Sequence, residues 1–296
     1  MNYNQEVTSF GFVSASPLPN VEELNKFYSE MYYQSPQSSS YQESYPEWEM
    51  RYRRHRADTL MTALVDASNR VIRPGKDRYF DIGCGEGFAL KAASDLGMNV
   101  YGCDFSEFGV KKFHPEMLSC FEAGDALKIL TKLLESNTKF DFCSTLNVLE
   151  HVINPIEFLL GIRPLLAEKG ILAITVPNDF SSIQNRLKEL GHLNKDFWFC
   201  PPHHLHYFNT SNLPSFLESC GFQVVDSFAD FPIDLYLFHP GSNYIENPSN
   251  GPAAHRARVE VDLLLARSGK RDYLNLLRAM TKCGLGRNVT VLVRRA

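Results

Sequence analysis

The chain has 296 residues, 44% hydrophobic and 22% charged, which suits one α/β core of roughly 200 residues with helical additions rather than two full domains. Its net charge of −4, with both signs mixed along the chain, excludes a broad nucleic-acid-binding face; Arg51, Arg53, Arg54 and Arg56 read as one solvated side of a helix. Seven cysteines, an odd number with no C-x-x-C pair, exclude a disulfide scaffold and a zinc ribbon.

The first residues lack a basic start and an apolar run, so no signal peptide is expected. No stretch has the apolar length of a membrane span. The expected compartment is the cytoplasm.

Up to about residue 50 the chain is rich in Tyr, Ser, Pro and Gln. The spacing predicts one helix there, capped by Asn20 with Glu23 three residues on, then Leu24, Phe27, Tyr28 and Met31 at helical intervals. A loop follows from Gln34 to Tyr45, and a second helix over 48–68. From Asp77 strands alternate with helices: strands at 78–82, 99–103, 119–122, 139–146 and 171–176, helices at 88–96, 106–112, 125–135 and 155–166. This rhythm predicts a Rossmann-like, mostly parallel sheet with helices on both faces. Beyond 180 it loosens into a helix at 212–219, a strand at 222–227, helices at 253–267 and 270–281, and a last strand at 288–294. Placing that strand on the sheet makes seven strands, with a helical insertion before the last. The expected organisation is a helical N-terminal cap over 1–75 and a core over 76–296, with a substrate loop at 181–211 and the insertion at 232–287.

The first core strand runs into Asp81-Ile82-Gly83-Cys84-Gly85-Glu86-Gly87. Glycines at such a turn let the backbone bend sharply against a ligand, and a Gly-rich turn after the first strand of an α/β sheet marks a nucleotide crevice. The dinucleotide fingerprint G-x-G-x-x-G is not met, because Phe88 stands where its third glycine would fall. A pyrophosphate is served by a helix N-terminus without neighbouring negative charge, whereas Asp81 and Glu86 flank this turn. Carboxylates suit a ligand with an ammonium and a sulfonium, such as S-adenosylmethionine. Asp104, followed by Phe105, ends the second strand, where an acid accepts hydrogen bonds from ribose hydroxyls. Gly124-Asp125-Ala126 closes the third, with Asp125 a candidate for the adenine amino group.

On these residues the chain resembles class I S-adenosylmethionine-dependent methyltransferases of the small-molecule branch. Phe80 to Gly87 is similar to the family's first motif. Asn147-Val148-Leu149-Glu150-His151-Val152 resembles the LEH segment of ubiquinone-type O-methyltransferases, which lines the methionine end of the cofactor. The resemblance implies a cofactor site made of Asp81, Gly83, Cys84, Gly85, Gly87, Asp104, Phe105, Asp125, Ala126, Asn147, Val148, Glu150 and His151. A narrower likeness, to sugar methyltransferases, rests on Pro17-Leu18-Pro19 with Glu23, Leu24, Phe27-Tyr28 and Tyr32-Tyr33, and on Pro201-Pro202-His203-His204-Leu205-His206-Tyr207-Phe208. In sugar C-methyltransferases of this kind an acid-His pair in the latter segment supplies the base. Here His203 replaces the acid, and the N-terminal zinc-binding cysteines of that group are absent.

Methyl transfer is an in-line displacement on an activated sulfonium, so alignment supplies much of the rate. A hydroxyl acceptor also needs a base, and histidine titrates in range. His204 is the favoured base, with His203 or His206 as its partner. No metal is expected: Cys200 and Asp196, the nearest other ligands, lack a recognisable spacing. The aromatic run Phe197-Trp198-Phe199 reads equally as a substrate lid or as loop packing, and Tyr41, Tyr45 and Tyr52 as residues closing over the cofactor. The expected acceptor is a sugar or hydroxylated metabolite, with a quinone or aromatic ring as the alternative. No nucleic-acid partner is expected, and a homodimer is left open by the apolar helices after 253.

Overall fold

A computed structural model describes residues 3–27 and 44–296. Its centre is a seven-stranded sheet in the order β5-β4-β3-β6-β7-β10-β9, built from β3 (Arg78–Ile82), β4 (Asn99–Asp104), β5 (Phe121–Ala123), β6 (Phe140–Leu146), β7 (Leu166–Pro177), β9 (Phe222–Ala229) and β10 (Asn288–Arg295). The pairs β5–β4, β4–β3, β3–β6 and β6–β7 are parallel. β10 inserts antiparallel between β7 and β9. This is the seven-stranded, mostly parallel, Rossmann-like architecture that the strand–helix rhythm predicts.

Strand alternation sends neighbouring side chains to opposite layers. Phe80, Ile82 and Cys143 join one core with residues of α5 (Ala126–Glu135), α6 (Pro155–Ile162) and α8 (Leu213–Ser219). Tyr79, Phe142 and Leu292 join the other, under α2 (Glu47–Ser68), α3 (Phe88–Asp95) and α10 (Lys270–Lys282). Because both faces are covered, the central strands read as continuous apolar runs. α10 packs its apolar side on β9 and α2.

Several elements differ from their sequence expectations. The helix after Asn20 is α1 (Val21–Phe27); Tyr28, Met31 and most of the expected loop, with Tyr41, fall outside the described residues. The capping arrangement holds, with Asn20 accepting from the Glu23 backbone and donating its own N–H to the Glu23 carboxylate. Before α1, β1 (Asn4–Val7) and β2 (Val13–Ser16) form an unexpected hairpin that pairs with β8 (His206–Tyr207) in a second sheet. The expected helix at 155–166 ends at Ile162 and gives way to a 3₁₀ turn at Pro164, where the proline lacks the N–H that a continuing helix needs. α7 (Ser182–Glu189) was hidden in the polar stretch after β7; its capping box of Ser181 and Gln184 was its one local signal. α4 (Phe108–Phe113) and α9 (Gly251–Leu265) lie within two or three residues of expectation. Among the described residues no helix is long and apolar enough to cross a membrane.

Candidate functional site

β3 has β4 on one side and β6 on the other, so strand order reverses there and the loops after these strands diverge. A crevice opens outside the strand ends at such a point. Here it is a cavity of about 530 Å³ lined by the glycine turn, the ends of β4, β5 and β6, and α1.

Nine of the thirteen residues expected around the cofactor line it: Gly83, Gly85, Asp104, Phe105, Asp125, Ala126, Asn147, Val148 and His151. The turn is held from the next strand, because the backbone N–H groups of Gly83 and Cys84 donate to the Cys103 carbonyl at 2.8 and 3.0 Å. Gly83 takes φ +74, and a Cβ there would stand 2.4 Å from Cγ2 of Val148. Its glycine is therefore demanded by both backbone and neighbour. Asp104 accepts from the Gly85 N–H at 3.0 Å and from the Ser106 N–H at 3.2 Å. Its carboxylate thus faces the cavity already oriented, and burial raises its pKa. Asp125 caps α5 by accepting from the Lys128 N–H, a structural duty that its sequence context did not announce.

Asp81, Cys84, Gly87 and Glu150 stand behind the lining instead. Asp81 is 1% exposed; one oxygen accepts from the Ser144 hydroxyl at 2.5 Å, and the other has no hydrogen-bond partner among the described residues. Burial, reinforced by the Asp104 charge, pushes its carboxyl up to about 7. Two carboxylates with raised pKa values, Asp81 buried and Asp104 half-buried, form a place where a cationic ligand relieves an existing cost. The donor set thus fits S-adenosylmethionine.

The Asp81 shift has a consequence for stability. The ordinary pKa is 3.8 and the folded value about 7, so between these values the folded chain binds more protons than the unfolded one. Its contribution is present below about pH 4 and falls as pH rises towards 7, by up to about 1.4 kcal/mol per pH unit. Asp81→Asn is expected to gain on the wild type in urea midpoint as the buffer moves from pH 5 to pH 8. Parallel midpoints for the two proteins would refute this assignment.

Glu86, in the glycine turn, accepts from the Arg53 guanidinium at 2.6 Å and the Tyr45 hydroxyl at 2.5 Å. Arg53 also lies over the Tyr45 ring, 3.8 Å from its centroid. Part of the basic run on α2 therefore clamps the cofactor turn rather than forming a solvated stripe; Arg56 meets Asp230 at 3.6 Å. Tyr52 is buried in the body of the fold at 1% exposure, not over the cavity. Val21 and Leu24 of α1 line the cavity, and nothing local in the sequence marks them for that place.

The histidines divide into two groups. His206 is 4% exposed; its Nε2 donates to the Ile153 carbonyl at 3.4 Å, and its Nδ1 accepts from the Ser14 hydroxyl at 2.8 Å. That ring joins β8 to the hairpin, and both its nitrogens are engaged in the fold. His203 and His204 stack at 4.7 Å between ring centroids, and His151 meets them edge-on at 5.0 and 4.9 Å. The LEH loop and the histidine segment are stitched by backbone: the N–H groups of Leu205 and His206 donate to the Glu150 carbonyl at 2.8 and 3.2 Å. The His151 Nδ1 donates to the His203 carbonyl at 2.5 Å, leaving the lone pair of the neutral ring on Nε2. Only His151 of this group reaches the cavity wall; His203 and His204 stand behind it, half-buried.

Burial and the neighbouring His203 bring His151 down to about 3. Burial, then the other two rings and Arg287, brings His204 down to about 2. Burial, with the Asp179 charge adding to it, drives Glu150 up to about 8. At neutral pH the rings are uncharged and Glu150 is largely protonated.

One ring nitrogen from each of His151, His203 and His204 lies within 4.8 Å of the others. These are ligand types and distances that a divalent cation accepts. The expectation that a metal at the histidine segment would find only Cys200 and Asp196 as further ligands missed His151. Asp196 instead accepts from Gln5 and Lys188. Trp198, 2% exposed, packs with Ile183, Leu187 and Tyr207, so the aromatic run holds its loop down. Arg287, for which the sequence offers no role, pairs with buried Asp179 at 2.7 Å.

Known proteins agree with this geometry. A family model described as a methyltransferase domain matches residues 51–227, more than half of the chain. The mitochondrial ubiquinone biosynthesis O-methyltransferase of Arabidopsis thaliana is 33% identical over 104 residues, 34% of this chain and 30% of its own length. The ubiquinone biosynthesis O-methyltransferase of Roseobacter denitrificans is 31% identical over 129 residues, 42% of this chain and 52% of its own. The matches therefore span about a third to a half of these relatives. The plantazolicin methyltransferase BamL, crystallised with a triazolic desmethylPZN analogue and SAH, shares the fold over 92% of this chain and 94% of its own, at TM-score 0.52 and 14% identity. The chain belongs to the methyltransferase-domain family that this model describes.

Proposed function

We propose that this enzyme methylates a hydroxyl of a small hydroxylated acceptor, sugar-like in character, and that the His151–His203–His204 cluster takes the released proton. The observation that carries this reading is the backbone stitching of the Glu150–His151 loop to the 203–206 segment, which backs the uncharged His151 ring on the cavity wall with those of His203 and His204. S-adenosylmethionine supplies the activated methyl group. Gly83 and Gly85 admit it, Asp104 holds the ribose, and Asp81 answers the positive charge from behind. His151, the one ring of the cluster on the cavity wall, receives the proton at its Nε2, and His204 behind it positions that ring. Acceptor choice lies in the segments before 75 and over 181–211 and 232–287, and the enzyme works in the cytoplasm.

Isothermal titration with S-adenosylmethionine tests the cofactor site. Asp104→Ala removes charged hydrogen bonds worth about 1.5–3 kcal/mol each and is expected to weaken binding about 10- to 100-fold. Methyl transfer to a panel of sugars and catechols then tests the acceptor; equal affinity in the variant, or transfer to no hydroxyl, would defeat the reading. Two observations favour a second reading. The relatives are named ubiquinone biosynthesis O-methyltransferases, which suits an aromatic hydroxyl, and the three ring nitrogens suit a divalent cation. Transfer to a catechol alone, abolished by chelation and restored by added metal, would select it.

A further inference from the structure

A second cavity, of about 220 Å³, lies across Leu146 and Asn147 from the first, and these two residues belong to the walls of both. We infer that this second cavity binds the non-reacting ring of the acceptor, and that its ligand is a neutral, compact, polyhydroxylated molecule such as a monosaccharide unit. The inference rests on the methyl-transfer reading above and adds the place and chemistry of acceptor binding.

Three features carry it. The first is position. The larger cavity takes in the glycine turn and the acids at the ends of β4 and β5, and at about 530 Å³ it is a full ligand site. A molecule in the smaller one would meet the cofactor at Asn147, at the end of β6. Asn147 holds φ +56, a strained conformation for a side-chain-bearing residue that concentrates at ligand-contact sites.

The second feature is a fixed polar chain along one wall. Asn147 donates to the Asn288 side-chain oxygen at 3.2 Å, and Asn288 donates to Asp230 at 2.6 Å. Asp230 is oriented further by the N–H groups of Arg287 and Asn288, at 2.9 and 2.7 Å. Arg56 stands opposite, 3.6 Å from Asp230, too far for a good hydrogen bond. Thr290 and Thr175 add hydroxyls 2.7 Å apart. They interrupt the sheet face that is elsewhere apolar at Ala173 and Leu292. Donors and acceptors thus alternate over a short distance, as a ring of hydroxyls requires.

The third feature is the apolar part of the lining: Leu60, Phe88 and Leu277 from the covering helices, with Phe228 beside Thr290 on the sheet. A pyranose has a rim of hydroxyls and an apolar C–H face, and a lining that is part polar and part aromatic-aliphatic matches both. Charge argues against an ionic acceptor: Arg53 and Arg56 face Asp230 and Asp262, a balanced set. Arg53 is already committed to Glu49 and Glu86, and Asp262 to the Tyr273 hydroxyl.

The test is saturation-transfer NMR on protein saturated with S-adenosylhomocysteine. The probe is a mixture of glucose, galactose, rhamnose and N-acetylglucosamine, with catechol and 4-hydroxybenzoate alongside. At least one sugar is expected to bind the wild type, and its affinity to fall at least tenfold in both Arg56→Gln and Thr290→Val. S-adenosylhomocysteine affinity, read by calorimetry, should change less than twofold and so confirm that both variants are folded. Binding of no sugar, binding of the phenols alone, or sugar binding indifferent to both substitutions would overturn the inference while the bound S-adenosylhomocysteine left the cofactor reading intact. Failure of S-adenosylhomocysteine to bind the wild type would strike the cofactor reading itself and bring down both.

Discussion

Gly83→Ala is expected to weaken S-adenosylmethionine binding by at least about a hundredfold, close to 2.7 kcal/mol. Two independent causes add. At φ +74 an alanine bears a left-handed backbone cost of about 1–2 kcal/mol, and its Cβ would stand 2.4 Å from Cγ2 of Val148. Val148 lines the cofactor cavity, so whichever side yields, the cavity wall moves. The double variant Gly83→Ala/Val148→Ala separates the causes. It removes the clash, keeps the backbone cost, and is expected to recover part of the lost affinity. Titration calorimetry of wild type, both single variants and the double variant reads this directly. An alanine at 83 that binds as well as glycine would mean that the turn does not touch the ligand.

His204→Ala is expected to lower kcat by about 10²-fold, the range of a displaced reacting group, because His151 loses the ring that seats it, while S-adenosylmethionine affinity stays within twofold. The separation of the two readouts follows from geometry, since His204 stands behind the cavity wall whereas His151 is part of it. His151→Ala should therefore reduce both kcat and cofactor affinity. His206→Ala should chiefly destabilise, because it strips Ser14 and Ile153 of their partner. Low folded pKa values keep the rings of His151 and His204 uncharged throughout the neutral range. A limb in the rate profile near pH 6 is accordingly not expected in the wild type. Unchanged kcat in His204→Ala would show that it does not position His151, and unchanged kcat in His151→Ala would assign the proton to another group.

The two expectations differ in how far the sequence led to them. Gly83, Asp104 and Asp125 were legible because each closes one strand of consecutive strand–helix units, and parallel strands bring those ends to one edge without further information. His203, His204 and His206 were legible only as a cluster. Their types and spacing are alike, and what separates them is the environment: Ser14 and Ile153 close around one ring, while His151 meets the other two. Arg53 shows the same limit, since a run of four arginines on a helix carries no mark of the glutamate that will face one of them 33 residues on.

By itself the sequence determined the sheet class, the glycine turn and the acids that follow it, and hence the cofactor, because these depend on periodicity and on residues a few positions apart. Tertiary structure alone decided that β10 enters antiparallel between β7 and β9. It also decided that the N-terminal hairpin seizes the segment at His206, and that Glu150 and His151 meet a loop more than fifty residues away. Alternating apolar residues state that a strand has a partner but not which one. A buried polar side chain likewise finds its partners only when the whole chain has closed around it.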